Sequence, residues 1–232
     1  LVAELAFGER AYGLRLAPTA DNRLMFALEG YWWHGSESHR LGSGHFETLC
    51  RAGEAAVGQE VVAAMARWVP YHFHDTGEDA RVKQVHALND NAYLRPDARN
   101  LAAYLLRLRE TDSAHYQRIL RTVQLVAPFF GDFHLRPTPV NPDRIELEWV
   151  ERGQDVPFKA HALSDGTLRF ICLATLLLQP PAQRPATVLI DEPELGLHPY
   201  AITVLASMLK AAASTSQLIV STQSVELVNE LD

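Results

Sequence analysis

Thr187-Val188-Leu189-Ile190-Asp191-Glu192-Pro193 is the stretch that sets the fold class. Four uncharged, mostly β-branched residues in a row fit a strand buried on both faces, as the strands of parallel sheets are. Two adjacent carboxylates fall at its C-terminal end, where open α/β sheets place their ligands. An Asp there can hold Mg²⁺, directly or through water. A Glu beside it can orient or deprotonate an attacking water. A bare Asp-Glu pair fits a strand that ends in a solvated acidic turn equally well. Pro193-Glu194-Leu195-Gly196-Leu197-His198-Pro199 follows, however, and makes the plain turn hard to maintain.

Outward from this strand, the pattern reads as helix over 165–178, strand 187–191, helix 199–212, strand 217–221 and helix 224–232. Strand, helix and strand at this spacing argue a parallel sheet with right-handed crossovers. Upstream, alternating apolar residues over 133–136 and 144–149 predict two strands, with Ile145, Leu147 and Trp149 set against Glu146 and Glu148. Helical spacing of Leu101, Tyr104, Leu105 and Leu108, and of Tyr116, Ile119, Leu120 and Val123, predicts two helices over 97–127. Residues 68–73 read as a strand and 47–66 as helix, whereas 34–46 read as a polar loop. From residue 1 to 33, short alternating runs broken by glycines read as antiparallel strands.

Two further stretches bear on chemistry. In Leu163-Ser164-Asp165-Gly166-Thr167-Leu168-Arg169, Ser164 stands at the N-cap of an apolar helix. Helix N-termini attract anions through free N–H groups and the dipole, and Gly166 lets a phosphate come close. Simple capping explains the serine as well. Leu218-Ile219-Val220-Ser221-Thr222-Gln223-Ser224 is another buried strand ending in polar residues, or a strand followed by an ordinary Ser-capped helix.

In this order and spacing the three stretches resemble the C-terminal half of an ABC-type ATPase head. Leu163 to Thr167 is similar to the signature motif, Thr187 to Glu192 to Walker B with its glutamate, Leu195 to Pro199 to the D-loop, and Ser221 to Ser224 to the switch strand. Ser-Asp-Gly-Thr and Asp-Glu-Pro-Glu-Leu-Gly-Leu-His-Pro resemble the predicted AAA-type ATPases related to RecF, SMC and OLD proteins, not membrane transporters. The specific part covers roughly 160–232. A weaker match, including Tyr71-His72-Phe73-His74-Asp75 and Asn100-Leu101-Ala102, extends over most of the chain.

The resemblance implies an α/β fold of the P-loop NTPase, ABC-ATPase type. A parallel core sheet is accompanied by an antiparallel β lobe and an inserted helical hairpin. Residues 1–96 would form the β lobe and its connecting helix, 97–130 the helical insertion, and 131–232 the signature, Walker B and switch half of the core. The cofactors implied are ATP and Mg²⁺. Two copies of the head would sandwich two ATP molecules. Ser164, Asp165 and Gly166 of one head would contact the γ-phosphate bound by the other. Glu192 would polarise the attacking water, Gln223 would stand at the switch position, Asp191 would serve the metal, and His198 would lie at the dimer seam. The activity implied is ATP hydrolysis coupled to dimerisation, in DNA repair, chromosome maintenance or phage defence, with DNA or a nuclease or other effector as a further partner.

Two departures from the family pattern matter. The sequence contains no Gly-x-x-x-x-Gly-Lys-Ser/Thr. The phosphate loop is therefore expected upstream of Leu1, and residues 1–232 by themselves are expected to bind ATP weakly and not to hydrolyse it. The switch position carries Gln223 where the pattern has His. Glutamine donates a hydrogen bond but carries no charge, which favours the alternative of an ATP-gated dimerisation clamp or sensor with little hydrolysis.

Composition bounds the remaining possibilities. With 47% hydrophobic residues in 232, the chain can bury one large core or two smaller ones. No run of about 18 apolar residues occurs, so no membrane-spanning helix and no membrane partner are expected. Cys50 and Cys172, far apart, suggest neither a disulfide scaffold nor a zinc site, and a reducing cytoplasm is expected. A net charge of −7 excludes a chain-wide electrostatic grip on DNA. Arg95, Arg99, Arg107, Arg109, Arg118 and Arg121 form the one local basic excess, facing either a partner or solvent. The histidines of 34–45 and His72 and His74 have no carboxylate or thiol at ligand spacing and read as surface or packed residues. Trp32, Trp33, Phe129 and Phe130 read as core.

Overall fold

In the computed structural model of the chain, which describes residues 1–8, 10–33, 39–51 and 56–231, the apolar stretch is the middle strand of a parallel sheet. Strand β11 (Thr187–Asp191) lies between β5 (Val69–Tyr71) and β12 (Gln217–Ser221), parallel to both. Val188 and Ile190 are buried, as a central strand covered by helices requires.

Two packed units make up the chain, Leu1–Arg67 and Trp68–Asp232. In the first, β1 (Val2–Phe7), β2 (Arg10–Pro18), β3 (Leu24–Trp33) and β4 (His39–Gly42) form an antiparallel meander. Helix α1 (Ala56–Met65) supplies Val61, which packs with Tyr12, Tyr31 and Cys50. The polar stretch expected as a loop over 34–46 thus contains a strand at 39–42, while 34–38 lie outside the described residues. The helix expected over 47–66 is a short 3₁₀ turn at Leu49–Arg51 and then α1, and 52–55 are likewise outside the described residues.

Glu29 of β3 is fully buried in this unit. Tyr12 Oη donates to its Oε1 at 2.6 Å, Thr48 Oγ1 to the same oxygen at 2.5 Å, and the Leu49 N–H to Oε2 at 2.9 Å. His45 Nε2 stands 3.5 Å from Oε2. Burial pushes the Glu29 carboxyl up, but these donors and the field of His45 outweigh it and hold the carboxyl below its ordinary value. Burial and the Glu29 carboxylate together push the Tyr12 phenol up, so it stays a donor.

The second unit is built round α4 (Asp165–Leu178), whose residues from Leu168 to Leu177 are all buried. A helix apolar on every side must be covered on every side. The α2–α3 hairpin (Leu101–Thr111, Ser113–Val126) and α5 (Pro199–Ala213) share its core, and α6 (Val225–Leu231) adds Leu227. Both hairpin helices fall where the spacing predicts them, and Asp112 caps α3 by accepting from the His115 N–H at 3.2 Å.

Beside the helices stand an antiparallel sheet of β10 (Pro157–Lys159), β9 (Glu148–Glu151) and β7 (Phe130–Phe133), and a two-stranded pair of β6 (His86–Ala87) and β8 (Arg144–Ile145). The strand expected over 144–149 is two strands. Ile145, Leu147 and Trp149 are all buried, as the alternation says, but the chain changes ladder partner between β8 and β9. The strand expected at 133–136 runs earlier, at 130–133. Both cysteines are free and buried, and burial pushes the Cys172 thiol up to about 12.

Candidate functional site

At the C-terminal end of β11, three acidic side chains meet three polar side chains from the end of β12. Asp191 is exposed, and its Oδ1 accepts from the hydroxyl of Ser221, its register partner. The Glu192 N–H donates to the Ser221 carbonyl at 2.9 Å, which carries the ladder one residue past the strand. Gln223 Nε2 donates to Glu192 Oε1. Thr222 Oγ1 donates to Glu194 Oε1 at 2.5 Å. Glu194 Oε2 is buried and has no hydrogen-bond partner among the described residues.

Glu192 has φ 38°, in the left-handed region. For a non-glycine residue this costs about 1–3 kcal/mol and persists where the surroundings over-determine it. Here the ladder bond, the Gln223 bond and the Leu195 N–H donating back to the Glu192 carbonyl at 3.1 Å do so. His74, just beyond β5, donates Nε2–H to the Asp191 carbonyl at 2.8 Å; a carbonyl only accepts, which fixes the proton on Nε2.

The N-terminus of α4 forms the other wall. Ser164 is the N-cap, with Oγ accepting from the Thr167 N–H at 3.2 Å. Gly166 lies so close to the Gly196 carbonyl oxygen that any Cβ there would overlap it. Gly196 itself has φ 76°, which favours glycine. Asp165 sits in the first turn, where the dipole favours an anion. Its carboxylate is 3.9 Å from Nζ of the buried Lys83, which also donates to the Thr76 carbonyl at 2.6 Å.

Arg169 joins the two walls. It is 5% exposed. Its Nε–H donates to the Phe73 carbonyl at 3.0 Å, Nη2 to the His74 carbonyl at 3.1 Å, and Nη1 to the Leu195 carbonyl. Burial lowers its pKa, opposed by the field of the Asp165 carboxylate, and three carbonyl oxygens accept from its N–H groups. His198 caps α5, Nδ1 accepting from the Ala201 N–H at 3.4 Å, and its ring stacks with that of exposed Tyr200.

The residues singled out in the sequence therefore fall into groups. Asp191, Glu192 and Gln223 share one end of the sheet. Ser164 and Gly166 reach the same turn through Gly196 and Arg169. Asp165 faces Lys83, and His198 is engaged in capping. Arg169, Glu194 and Thr222 were given no role, although Arg169 is the one charge inside the apolar stretch Leu168–Leu178 and so carried a signal, and His74 was read only as a surface or packed residue within the weaker match. Of the basic excess, Arg95 pairs with Asp90 at 2.8 Å, Arg99 lies 3.7 Å from Asp97, and Arg109 donates to the Leu135 carbonyl at 2.9 Å.

A hard cation takes oxygen ligands. The exposed Asp191 carboxylate and the Ser221 hydroxyl supply them at the sheet end, so these residues fit Mg²⁺. The free N–H groups at the N-terminus of α4 suit an anion, but the side of Gly166 expected to admit a phosphate is filled by the Gly196 carbonyl oxygen.

The fold, a parallel sheet covered by helices, and the family match together make this chain an ATPase domain of the ABC type. The model of the family described as "AAA domain, putative AbiEii toxin, Type IV TA system" matches residues 60–229, and the chain belongs to this family. It is also similar to a "Putative ABC transporter ATP-binding protein" of Methanosarcina acetivorans, at 32% identity over 119 residues, 47% of this chain and 42% of that protein. The match thus spans less than half the length of that relative. Similar solved structures include the SMC head bound to the C-winged helix domain of ScpA, with 16% identity, 96% of this chain and 69% of that one covered, and a TM-score of 0.49. The SMC head domain from Thermotoga maritima shows 14% identity, coverage of 97% and 68%, and a TM-score of 0.41. At these scores the assignment rests on the family match.

Proposed function

We propose that this chain is the signature and carboxylate half of a head that binds ATP with Mg²⁺, closes on a second copy of itself and hydrolyses the nucleotide. The observation that carries the reading is the Glu192 carboxylate at the end of the central parallel strand, held in a left-handed backbone conformation and oriented by Gln223. Bound Mg²⁺ would offset the charge developing on the phosphate oxygens. Asp191 would hold it, Ser221 orienting the carboxylate. Glu192 would take the proton of the attacking water through the oxygen that Gln223 leaves free. Ser164, Asp165 and Gly166 would meet the γ-phosphate held by the second copy, and exposed His198 would lie at the seam. The domain division 1–96, 97–130 and 131–232 belongs to the same reading, except that residues from Trp68 on pack in the unit of the core, where β5 pairs with β11. A place in DNA repair, chromosome maintenance or phage defence, with DNA or an effector such as a nuclease as partner, is the setting we propose. The free cysteines fit a reducing cytoplasm.

The second reading, an ATP-gated clamp or sensor, is favoured by Gln223 itself, which cannot carry a charge. Steady-state ATP hydrolysis by the product of the complete reading frame, beside Glu192→Gln, with and without DNA, separates the two. Turnover by the wild type, with an ATP-bound dimer trapped by the variant, supports the hydrolase. Dimerisation by ATP without turnover supports the clamp. A protein that shows neither sinks both.

A further inference from the structure

The turn Glu194–Gly196 lies between the carboxylate end of the sheet and the N-terminus of α4, and it is fixed from both sides. From β12, Thr222 Oγ1 donates to Glu194 Oε1 at 2.5 Å, between the neighbours Ser221 and Gln223 that hold Asp191 and Glu192. From α4, Arg169 Nη1 donates to the Leu195 carbonyl, and the Gly196 carbonyl rests on Gly166 with no room for a Cβ.

Neither side has slack. A half-buried carboxylate whose second oxygen has no partner among the described residues depends heavily on the one donor it has. A guanidinium is a rigid planar fork, and this one also grips the Phe73 and His74 carbonyls. His74 in turn donates to the Asp191 carbonyl. The turn, the helix start and the strand end are therefore joined in a closed loop of contacts.

We infer that Glu194 and Arg169 are positioning residues in a relay that runs from Thr222 through Glu194 and Leu195 to Arg169, with Gly196 on Gly166 as a second strut. The relay ties the placement of the Glu192–Gln223 pair to that of Ser164 and Gly166. Its functional meaning rests on the ATPase-head reading above. There, the first pair serves the nucleotide on this head and the second pair the nucleotide on the other copy, so one head would couple the two.

The test is amide hydrogen exchange on the full-length protein without nucleotide, comparing wild type with Thr222→Val, Glu194→Met and Glu194→Gln. Loss of the hydrogen bond in the first two is expected to speed exchange about fivefold at 192–197 and also over 164–168, since a typical bond contributes about 1 kcal/mol. Glu194→Gln keeps an acceptor and is expected to stay near wild type. Faster exchange confined to 192–197 and 222–224, with 164–168 unchanged, overturns the relay. ATP turnover is measured on the same proteins. A wild type that neither hydrolyses ATP nor dimerises on it counts against the head reading, while the spread of exchange still decides the relay. With an active wild type, the first two variants are expected to lose kcat about fivefold with the Kd for ATP unchanged. An equal rise in Kd with kcat unchanged overturns the coupling.

Discussion

Gln223 Nε2 donates to Glu192 Oε1 across the ends of two neighbouring parallel strands. One carboxylate oxygen is spent on orientation, and the other is left to accept a proton. Gln223→Leu keeps much of the volume and removes the donor. On the proposed mechanism kcat falls about tenfold, the value of one positioning hydrogen bond, while the Kd for ATP stays within about threefold. Gln223→His introduces a group that titrates near 6.5, raised by the adjacent carboxylate. Its rate is expected to acquire an inflection between pH 6 and 8 that the wild type lacks. Identical pH–rate profiles would show that position 223 does not reach the reacting centre.

Gly166→Ala tests the close approach of α4 to the turn. The atom in the way is a backbone carbonyl, that of Gly196, so no side chain can swing aside. The turn must move, at a cost of about 1–3 kcal/mol. Because Ser164 and Asp165 remain, a loss of ATP-driven dimerisation together with a lower melting temperature is the expected outcome. A variant that melts and dimerises like the wild type would mean that this contact is dispensable.

What the sequence made legible, and what it did not, follows from the range of the interactions. Thr187–Asp191 was readable because a strand covered on both faces must be apolar on both. Asp191, Glu192, Ser164 and Gly166 were readable because each belongs to a short local stretch. The β4 strand at 39–42 was not, since an edge strand pairs by backbone alone and His-Arg-Leu-Gly has no sheet pattern. In 144–149 the buried face was correctly implied, yet nothing in alternation encodes which strand is the neighbour. The Arg169 contacts go to the carbonyls of Phe73, His74 and Leu195, and a carbonyl leaves no trace in residue type. The lone charge in an apolar helix was the only clue.

Arg184 gives a second such case, with stability as its readout. It is buried. Nε donates to Ser216 Oγ at 2.9 Å, Nη1 to the Leu177 carbonyl at 2.7 Å, and Nη2 to the Ala212 carbonyl at 3.3 Å. Leu177 and Ala212 lie in the last turns of α4 and α5, so one cation serves the negative ends of two helices. Burial lowers its pKa without removing the charge. Arg184→Met takes this donor from the Leu177 carbonyl and the Ser216 hydroxyl in the interior, while the Ala212 carbonyl keeps the Thr215 and Ser216 N–H groups. A loss of about 3 kcal/mol is expected, measured by chemical denaturation of the full-length protein. A change under about 0.5 kcal/mol, the range of surface substitutions, would show that water replaces the guanidinium.

Glu29 ties the stability of the first unit to pH. Its carboxyl is held below the ordinary value of 4.5 because Thr48, Tyr12 and the Leu49 N–H donate to the charged form, and these outweigh the burial that would raise it. The folded state therefore binds the proton more weakly than the unfolded chain. Such a group stabilises the fold fully above its unfolded value, and the contribution is lost as pH falls through the depressed folded value. Glu29→Gln keeps the shape but puts an NH₂ group where a donor already points, and it has no proton to titrate. The variant is expected to be less stable than the wild type at pH 7, with faster exchange of the β2 and β3 amides. The gap should narrow steadily as pH falls below about 4.5, since the protonated wild-type side chain then offers no more acceptors than the amide does. A gap of constant size from pH 7 to pH 3 would mean that the charge of Glu29 contributes nothing and that packing alone holds Tyr12, Thr48 and Leu49 around it.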